Sequence, residues 1–345
     1  MPRLGARGQT ESEMANALHL RLPPVRTQAA FKILQQRLHA LNRWNRITLK
    51  NANSLWVQQN DPLTPEFIEA IRDGFGAEAK SIDFRNRTAA VAEISRWIDA
   101  HTAHKISNVI SPDLLTGNPT LALCSAIYFN GKWLHPFKTA NTKPAEFHVA
   151  TNVIVTVPMM RQSARFKHGR TQDDSLEMLE LPYVGQDLSM VILLPLPFEL
   201  LPDGHPHDLT ELENHLTPDH LRSWLEQLDA QTPQTFSVRL PRFSTKTSLN
   251  LVEALKSLGI HSAFSTNADF SGMDGARNLY LDAVLHQAVV KVDESGTEAA
   301  AVTISAMQAS AKTGEFFVDH PFIFLIRDHG SGSILFLGRI IDPTK

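Results

Sequence analysis

Residues 289–311 read VVKVDESGTEAAAVTISAMQASA, and this is the most informative stretch of the sequence. It opens like a strand, because Val290 and Val292 alternate with the charged Lys291 and Asp293. After the acidic turn Glu294-Ser295-Gly296, residues 297–310 carry one charge, no proline and mostly small side chains. A segment so poor in charge pairs readily with other strands. Composition alone leaves two interpretations open, an Ala-rich helix and a buried strand.

Two blocks of this region resemble serpins. Glu294–Ala301 (ESGTEAAA) resembles the hinge of the serpin reactive-centre loop, and Phe317–Phe322 (FVDHPF) resembles the strand after that loop. The resemblance implies that a protease cleaves the loop, about 294–315, and that the freed arm then enters the main sheet as a strand. Small leading side chains can pass between two paired strands, and Gly296 supplies flexibility at the root. The expected hinge residues are Glu294, Gly296, Thr297, Glu298, Ala299, Ala300, Ala301 and Val302.

Length and composition limit the classes of function. With 345 residues and 43% hydrophobic content, the chain can bury a large core in one or two domains. A net charge of −3 argues against a general nucleic-acid binder, and a single cysteine excludes an intrachain disulfide. No apolar run is long enough to span a membrane, and the first residues do not resemble a signal peptide.

Further blocks extend the resemblance over nearly the whole chain. Asn130–Phe137 (NGKWLHPF) and Leu240–Phe243 (LPRF) resemble serpin strands and their flanks. Leu4–Thr10 resembles the stretch after the second serpin helix, so the first helices of the family are expected to be absent here. The resemblance implies an α+β fold in one serpin domain, 1–345. This fold has a large central mixed β-sheet, two further sheets, several surrounding helices and an exposed reactive-centre loop.

Periodicity predicts the individual elements. Apolar residues at helical spacing predict helices, and alternating or continuous apolar runs predict strands. The helices are expected near 28–41, 65–75, 89–103, 208–228 and 249–258, and single strands near 47–58, 82–84, 120–129 and 236–243. Residues 147–160 and 176–194 are expected to be rich in strands, and 322–341 to form two strands around a Gly-Ser-Gly turn.

Each candidate catalytic, metal or polysaccharide site in the sequence has a simpler structural explanation. His329–Ser333 places serines among glycines, but a hairpin turn explains this run better than a hydrolase nucleophile. Cys124 lies in an apolar run typical of a buried thiol, and His101 and His104 fit surface positions better than a metal pair. Basic residues on the 28–41 helix fit a solvated face better than a glycosaminoglycan site. We therefore expect neither an enzyme nor a cofactor or metal.

The side chains of the hinge distinguish inhibitory from non-inhibitory (passive) serpins. By the resemblance, inhibitors carry small residues where the loop first enters the sheet, and passive members often carry bulky, charged or proline residues. Ala299, Ala300 and Ala301 favour an inhibitor, and Val302 is a good strand former. The expected function is suicide-substrate inhibition of elastase- or subtilisin-like serine proteases. The alternative is a non-inhibitory serpin that acts as a binding or chaperone module.

The resemblance also implies specific site residues. Counting thirteen positions from Thr297 places the reactive bond at Ser310–Ala311, with Lys312 as the rival position. Glu294 is expected to pair with Arg242 beside Trp133, where the sheet opens.

His286 is expected in a buried polar cluster at the centre of the sheet, with Ser125 as its partner. The expected partner of the whole chain is a serine protease in a covalent complex, with no nucleic acid or membrane. The resemblance further implies a monomer in an extracellular or periplasmic location.

Overall fold

The computed structural model describes residues 1–42, 46–107, 115, 119–150, 152–196, 209–294 and 313–345. The α-helices in these ranges are α1 (Gly8–Ala17), α2 (Pro24–Leu41), α3 (Pro65–Phe75), α4 (Arg87–His101), α5 (Leu209–His215), α6 (Pro218–Asp229), α7 (Val252–Ser257) and α8 (Ser271–Asp274). Short 3-10 helices lie at Pro2–Leu4, Thr139–Asn141 and Ser262–Phe264. No helix in these ranges is both long and apolar enough to cross a membrane.

The β-strands of the described residues form two sheets. They are β1 (Ile47–Gln58), β2 (Ala77–Ile82), β3 (Leu121–Gly131), β4 (Lys143–Ala150), β5 (Val153–Arg170), β6 (Leu176–Pro182), β7 (Leu188–Pro195), β8 (Gln234–Pro241), β9 (Phe243–Asn250), β10 (Leu281–Val292), β11 (Gly314–Phe317), β12 (Phe322–Asp328) and β13 (Ile334–Ile340). The five-stranded sheet has the order β2-β1-β3-β10-β9. The eight-stranded sheet has the order β11-β8-β5-β6-β7-β12-β13, with β4 also paired to β5.

The long strand β5 joins the two further sheets that the resemblance implies. It pairs with β4 and β8, and farther along its length it pairs with β6. Because one strand of eighteen residues serves both groups, the two sheets form one continuous ladder.

The chain divides into two compact units. One comprises Met1–Arg43, Thr48–Phe129 and Thr245–Val290, and the other comprises Trp44–Ile47, Asn130–Ser244 and Lys291–Lys345. The first unit has an apolar cluster between α4 and one face of β1, β3 and β10, in which Trp97 packs edge-on against Trp56. The second unit has a cluster in which α5 and α6 cover strands β6, β7 and β12.

Local sequence signals explain where helices begin and end. Thr64 caps α3 by accepting a hydrogen bond from the Phe67 backbone N–H, and Pro65 occupies the first turn. Gly76 ends α3 with φ of 59°, a left-handed conformation that favours glycine. The expected bounds 65–75 and 47–58 are confirmed by α3 and β1.

The helix expected over 208–228 is wrong as a single element. The structure has two helices, α5 and α6, separated at Leu216 and Thr217. Thr217 accepts from the backbone N–H of His220, and Pro218 cannot donate to a preceding turn. The evenly spaced leucines predict one helix because α5 and α6 each carry leucines on an apolar face.

Candidate functional site

The site lies where β10 ends and the expected loop begins. β10 stops at Val292, and Asp293 and Glu294 are the last described residues before 295–312. The described chain resumes at Thr313 and enters β11. The site is therefore the set of side chains that hold Asp293 and Glu294.

Glu294 is held through its side chain and its backbone. Arg242, which follows β8, donates to Glu294 Oε1, and so does the Thr142 hydroxyl at 2.7 Å. The Glu294 carbonyl oxygen accepts from the Phe137 backbone N–H at 2.8 Å. The ion pair expected between Glu294 and Arg242 is thus present, and its role at the opening of the sheet stays a prediction.

Trp133 holds the preceding residue. Its indole Nε1 donates to the Asp293 carbonyl oxygen at 2.9 Å. The ring stacks on Tyr183 with centroids 4.6 Å apart and 11° between planes, and the two residues also form an antiparallel bridge. Only 3% of Trp133 is exposed, so this contact is largely shielded from water.

The environment of Glu294 favours its charged form. Burial by itself raises the pKa of this carboxyl, because it disfavours the charge. The hydrogen bonds from Arg242 and Thr142 outweigh that effect, and the pKa of Glu294 lies below its usual value. The root of the loop is therefore fixed by a carboxylate that stays ionised at neutral pH.

Strands β3 and β10 are direct neighbours in the five-stranded sheet. They pair in parallel over nine residue pairs, from Leu281 opposite Leu121 to Val290 opposite Phe129. His286 lies directly opposite Ser125 in this register, as expected for two residues of one cluster.

The expected burial of His286 is not found. His286 and Ser125 are both half-buried, as are Leu123, Ile127 and Ala288 on the same face of β3 and β10. The opposite face of these strands packs against α4, which explains why buried and half-buried residues alternate along them. Burial lowers the pKa of His286 even so.

The remaining predicted site residues lie outside the described residues. These are the hinge positions Gly296, Thr297, Glu298, Ala299, Ala300, Ala301 and Val302, and the reactive-bond positions Ser310 and Ala311. The structure thus brings together Trp133, Arg242 and Glu294 at one place, and His286 and Ser125 at another.

Thr142 and Phe137 are site residues that the sequence did not predict. Each is more than 150 positions from Glu294, and neither belongs to a motif with hydrogen-bonding chemistry. Phe137 ends the Asn130–Phe137 block that also contains Trp133, but nothing in that block predicts its backbone hydrogen bond to Glu294, and no sequence signal indicates Thr142. Their closeness follows from the fold, because both lie in the connection that leads from β3 to β4.

A second polar cluster lies in the eight-stranded sheet. Ligand atoms of Glu180, Asp229 and His329 lie within 4.8 Å of one another, which is a spacing suited to a metal ion. However, the Arg327 guanidinium donates to Glu180 at 2.5 Å and to Asp229 at 2.6 Å. Arginine already supplies the positive charge there, so the cluster reads as a structural ion-pair network.

Comparisons with known proteins agree with these features. The family model for serpins (serine protease inhibitors) matches residues 1–343. The bovine (Bos taurus) leukocyte elastase inhibitor is 39% identical over 345 residues, which are 99% of this chain and 89% of the relative.

Two solved structures are similar over 99–100% of this chain. Serpin48 from Tenebrio molitor, a highly specific serpin, is 29% identical with a TM-score of 0.84, and the match covers 87% of its chain. Human thyroxine-binding globulin in complex with thyroxine is 26% identical with a TM-score of 0.86 over 88% of its chain. None of these similarities supports the expected extracellular location. On its sequence, its fold and these relatives, the chain belongs to the serpin family of serine protease inhibitors.

Proposed function

We propose that this chain is a single serpin domain, 1–345, that traps serine proteases as a suicide substrate. Its reactive-centre loop would be 294–315, and the target would be an elastase- or subtilisin-like enzyme. The observation that carries the proposal is the direct parallel pairing of β3 with β10, next to the root of the loop.

The direction of these strands favours insertion between them. A segment that follows β10 and turns back at Glu294 runs antiparallel to β10. Since β3 is parallel to β10, the same segment also runs antiparallel to β3. One parallel pairing would then be replaced by two antiparallel pairings, which are more stable per residue.

The length of the arm matches the strands that would receive it. Fourteen residues, 297–310, at about 3.3 Å each span about 45 Å. β3 has eleven residues and β10 has twelve, so the inserted arm could pair along their whole length. Ala299, Ala300 and Ala301 would enter first, and their small side chains fit between paired strands.

The chemistry of trapping follows from ordinary acyl transfer. The protease serine oxygen attacks the carbonyl carbon of Ser310, and its proton passes through the protease histidine to the departing amine of Ala311. An ester joins Ser310 to the protease while the peptide bond to Ala311 breaks. Insertion of the arm would carry the ester-linked protease away before water completes hydrolysis. A small residue at Ser310 suits a narrow specificity pocket.

A second candidate is a non-inhibitory serpin that binds other molecules. The observation that favours it is the similarity to thyroxine-binding globulin, whose structure contains thyroxine. The small hinge residues favour the inhibitor, because a passive serpin has no need for a hinge that inserts.

The direct test mixes the protein with elastase-, subtilisin- and trypsin-like proteases. We expect a covalent complex that survives denaturing electrophoresis with the first two, and a released fragment whose N-terminus is Ala311. The matched control is the same protease with its catalytic serine replaced by alanine, which should give no complex. Cleavage without any stable complex would favour the non-inhibitory alternative, and a fragment that begins elsewhere would overturn the Ser310–Ala311 assignment.

A further inference from the structure

Three neighbouring strands of the eight-stranded sheet, β5, β8 and β11, carry arginines on their solvent side. One face of these strands is apolar and buried, and it includes Phe236, Val238 and Phe316. The other face, which we call the arginine face, holds exposed or half-buried residues, since side chains alternate along a strand. It consists of Arg161, Ser163 and Arg165 in β5, Thr235, Ser237 and Arg239 in β8, and Glu315 and Phe317 in β11. Three positive charges and one negative charge give this face a net charge of +2, whereas the whole chain carries −3.

Two of these arginines face each other directly. Arg161 lies opposite Arg239 in the antiparallel register of β5 and β8, and like charges in such positions destabilise a strand pair. Arg239 lies over the ring of Phe317, with its guanidinium carbon 4.6 Å from the ring centroid. Arg165 donates to the carbonyl oxygen of Pro233 at 2.8 Å, a contact that neutralises no charge. Among the residues that the structure describes, Arg161 has neither an ion pair nor a hydrogen bond through its side chain.

The arginine face adjoins the end of the expected loop. The chain enters β11 at Gly314, directly after Thr313. The expected reactive bond ends at Ala311, and two residues span at most about 7 Å. Four residues along the sheet and two strand spacings across it separate Arg161 from Thr313, which is about 16 Å. A protease domain of about 230 residues has a radius of gyration of about 17 Å, so an enzyme bound at the loop reaches the arginine face.

We propose that the arginine face docks an acidic surface of the target protease, on the rim of the cleft that binds residues after the cleaved bond. This inference rests on the proposed inhibitory function, and it names the kind of protease that the chain selects, one with an acidic rim. A protease is favoured over a free polyanion because the arginines border the loop that the protease has to bind. Surface charges of this kind act mainly on the rate of association, and salt screens them.

The first test measures association rate constants with two elastase-like proteases, one with an acidic rim and one with a basic rim. In Arg161→Glu, we expect the rate for the acidic-rimmed enzyme to fall about tenfold at low salt. The rate for the basic-rimmed enzyme should rise. Both differences should nearly vanish at 1 M salt, where the Debye length is about 3 Å.

The matched control is Arg222→Glu. Arg222 is an exposed arginine in α6, outside the arginine face, so this variant makes the same change in net charge. It should leave both rates as in the native chain. Neither residue lies in the arm that would insert, so the stoichiometry of inhibition should stay the same in both variants. Thermal unfolding checks that each variant folds.

The second test separates docking from chemistry. An acidic-rimmed protease whose catalytic serine is replaced by alanine binds the loop without cleaving it, so its dissociation constant reports docking alone. We expect Arg161→Glu to weaken this binding about tenfold and Arg222→Glu to leave it unchanged.

The outcomes distinguish this inference from the proposed function. If the active protease formed no covalent complex while the inert one still bound through Arg161, the arginine face would stand and the trapping mechanism would be wrong. Equal rates and equal dissociation constants for the native chain and Arg161→Glu would overturn the docking proposal. Binding of dextran sulfate that depends on Arg161, with no effect of the variant on either protease, would overturn it in favour of a polyanion.

Discussion

Glu294, at the start of the expected loop, is bound to the rest of its unit by its side-chain carboxylate and by its backbone carbonyl. Its carboxylate binds Arg242 and Thr142, and its carbonyl oxygen accepts from Phe137. Trp133 holds the neighbouring carbonyl of Asp293. We infer that these bonds keep the loop root fixed until cleavage, because insertion would have to move the chain that follows them.

The lowered pKa of Glu294 predicts a dependence of stability on pH. A carboxyl whose pKa is lower in the folded state stabilises the fold above its unfolded pKa, about 4.3. That contribution disappears as the pH falls through the folded pKa. Glu294→Gln removes the charge at every pH, so we expect it to unfold at a lower temperature than the native chain near pH 7. The difference should narrow below about pH 4.

Melting temperatures of both chains between pH 3 and 8 measure this effect. Glu253→Gln is a suitable control, since Glu253 forms an exposed pair with Lys256 and should contribute little. A gap between the native chain and Glu294→Gln that stays the same in acid would contradict the prediction.

Ser310 is the residue expected to enter the specificity pocket of the protease. Ser310→Arg should increase the rate of inhibition of a trypsin-like protease by at least about tenfold, because a charged pair forms in an acidic pocket. Inhibition of an elastase-like enzyme should fall at the same time. Association rate constants for both proteases measure the shift.

The companion variant is Lys312→Ala, which removes the rival position. It should leave inhibition of the elastase-like enzyme unchanged. If Lys312→Ala instead abolished inhibition, the reactive bond would lie two residues farther along.

Strand β10 carries an unpaired polar side chain inside the core. Gln287 is 1% exposed, and neither its amide nitrogen nor its oxygen has a hydrogen-bond partner among the described residues. A buried polar group without a partner costs about 1–3 kcal/mol. Leu285 and Val289, which lie two positions before and two after Gln287 on the same face of β10, belong to the apolar cluster beside α4. The unpaired amide of Gln287 therefore destabilises the five-stranded sheet where β3 pairs with β10, in the form that precedes insertion.

Replacing Gln287 with leucine should remove that cost. We expect Gln287→Leu to stabilise the native form by about 1–2 kcal/mol and to slow insertion, so that more molecules are cleaved per protease trapped. Denaturant unfolding measures the first effect, and the stoichiometry of inhibition measures the second.

Gln162→Leu is the matched control for this variant. Gln162 also has a buried amide nitrogen without a described partner, but it lies in β5 of the eight-stranded sheet and not in the β3–β10 pair. It should change stability without changing stoichiometry. If both variants changed the stoichiometry of inhibition equally, the pairing of β3 with β10 would have no special role in insertion.

The whole molecule is expected to become more stable when its loop is cut. Insertion would add about a dozen ladder hydrogen bonds, each contributing roughly 0.5–1 kcal/mol net. For a chain of 345 residues, a gain of several kcal/mol raises the melting temperature by about 10 °C.

Calorimetry before and after limited proteolysis within 297–312 tests this expectation. The control is cleavage at another exposed site, which adds no strand and should lower the melting temperature or leave it unchanged. A cleaved loop that leaves the melting temperature where it was would favour the non-inhibitory alternative.

Local patterns in the sequence predict several of the elements and the charge-poor composition of 297–310. The bounds of strand β1 and helix α3 can be predicted because the spacing of apolar residues is a local signal. The charge-poor stretch 297–310 and the Glu294–Arg242 pair followed from motifs that resemble serpins, and the pair is present.

Other contacts between distant residues appear only in the tertiary structure. Thr142 and Phe137 contact Glu294 across more than 150 positions, and the half-exposed face of His286 depends on which side of the sheet α4 covers. The local periodicity of a strand indicates which of its faces is buried. Strand order and register, however, arise from the packing of the whole chain. Hydrogen bonds between distant segments therefore cannot be predicted from the pattern of either segment alone.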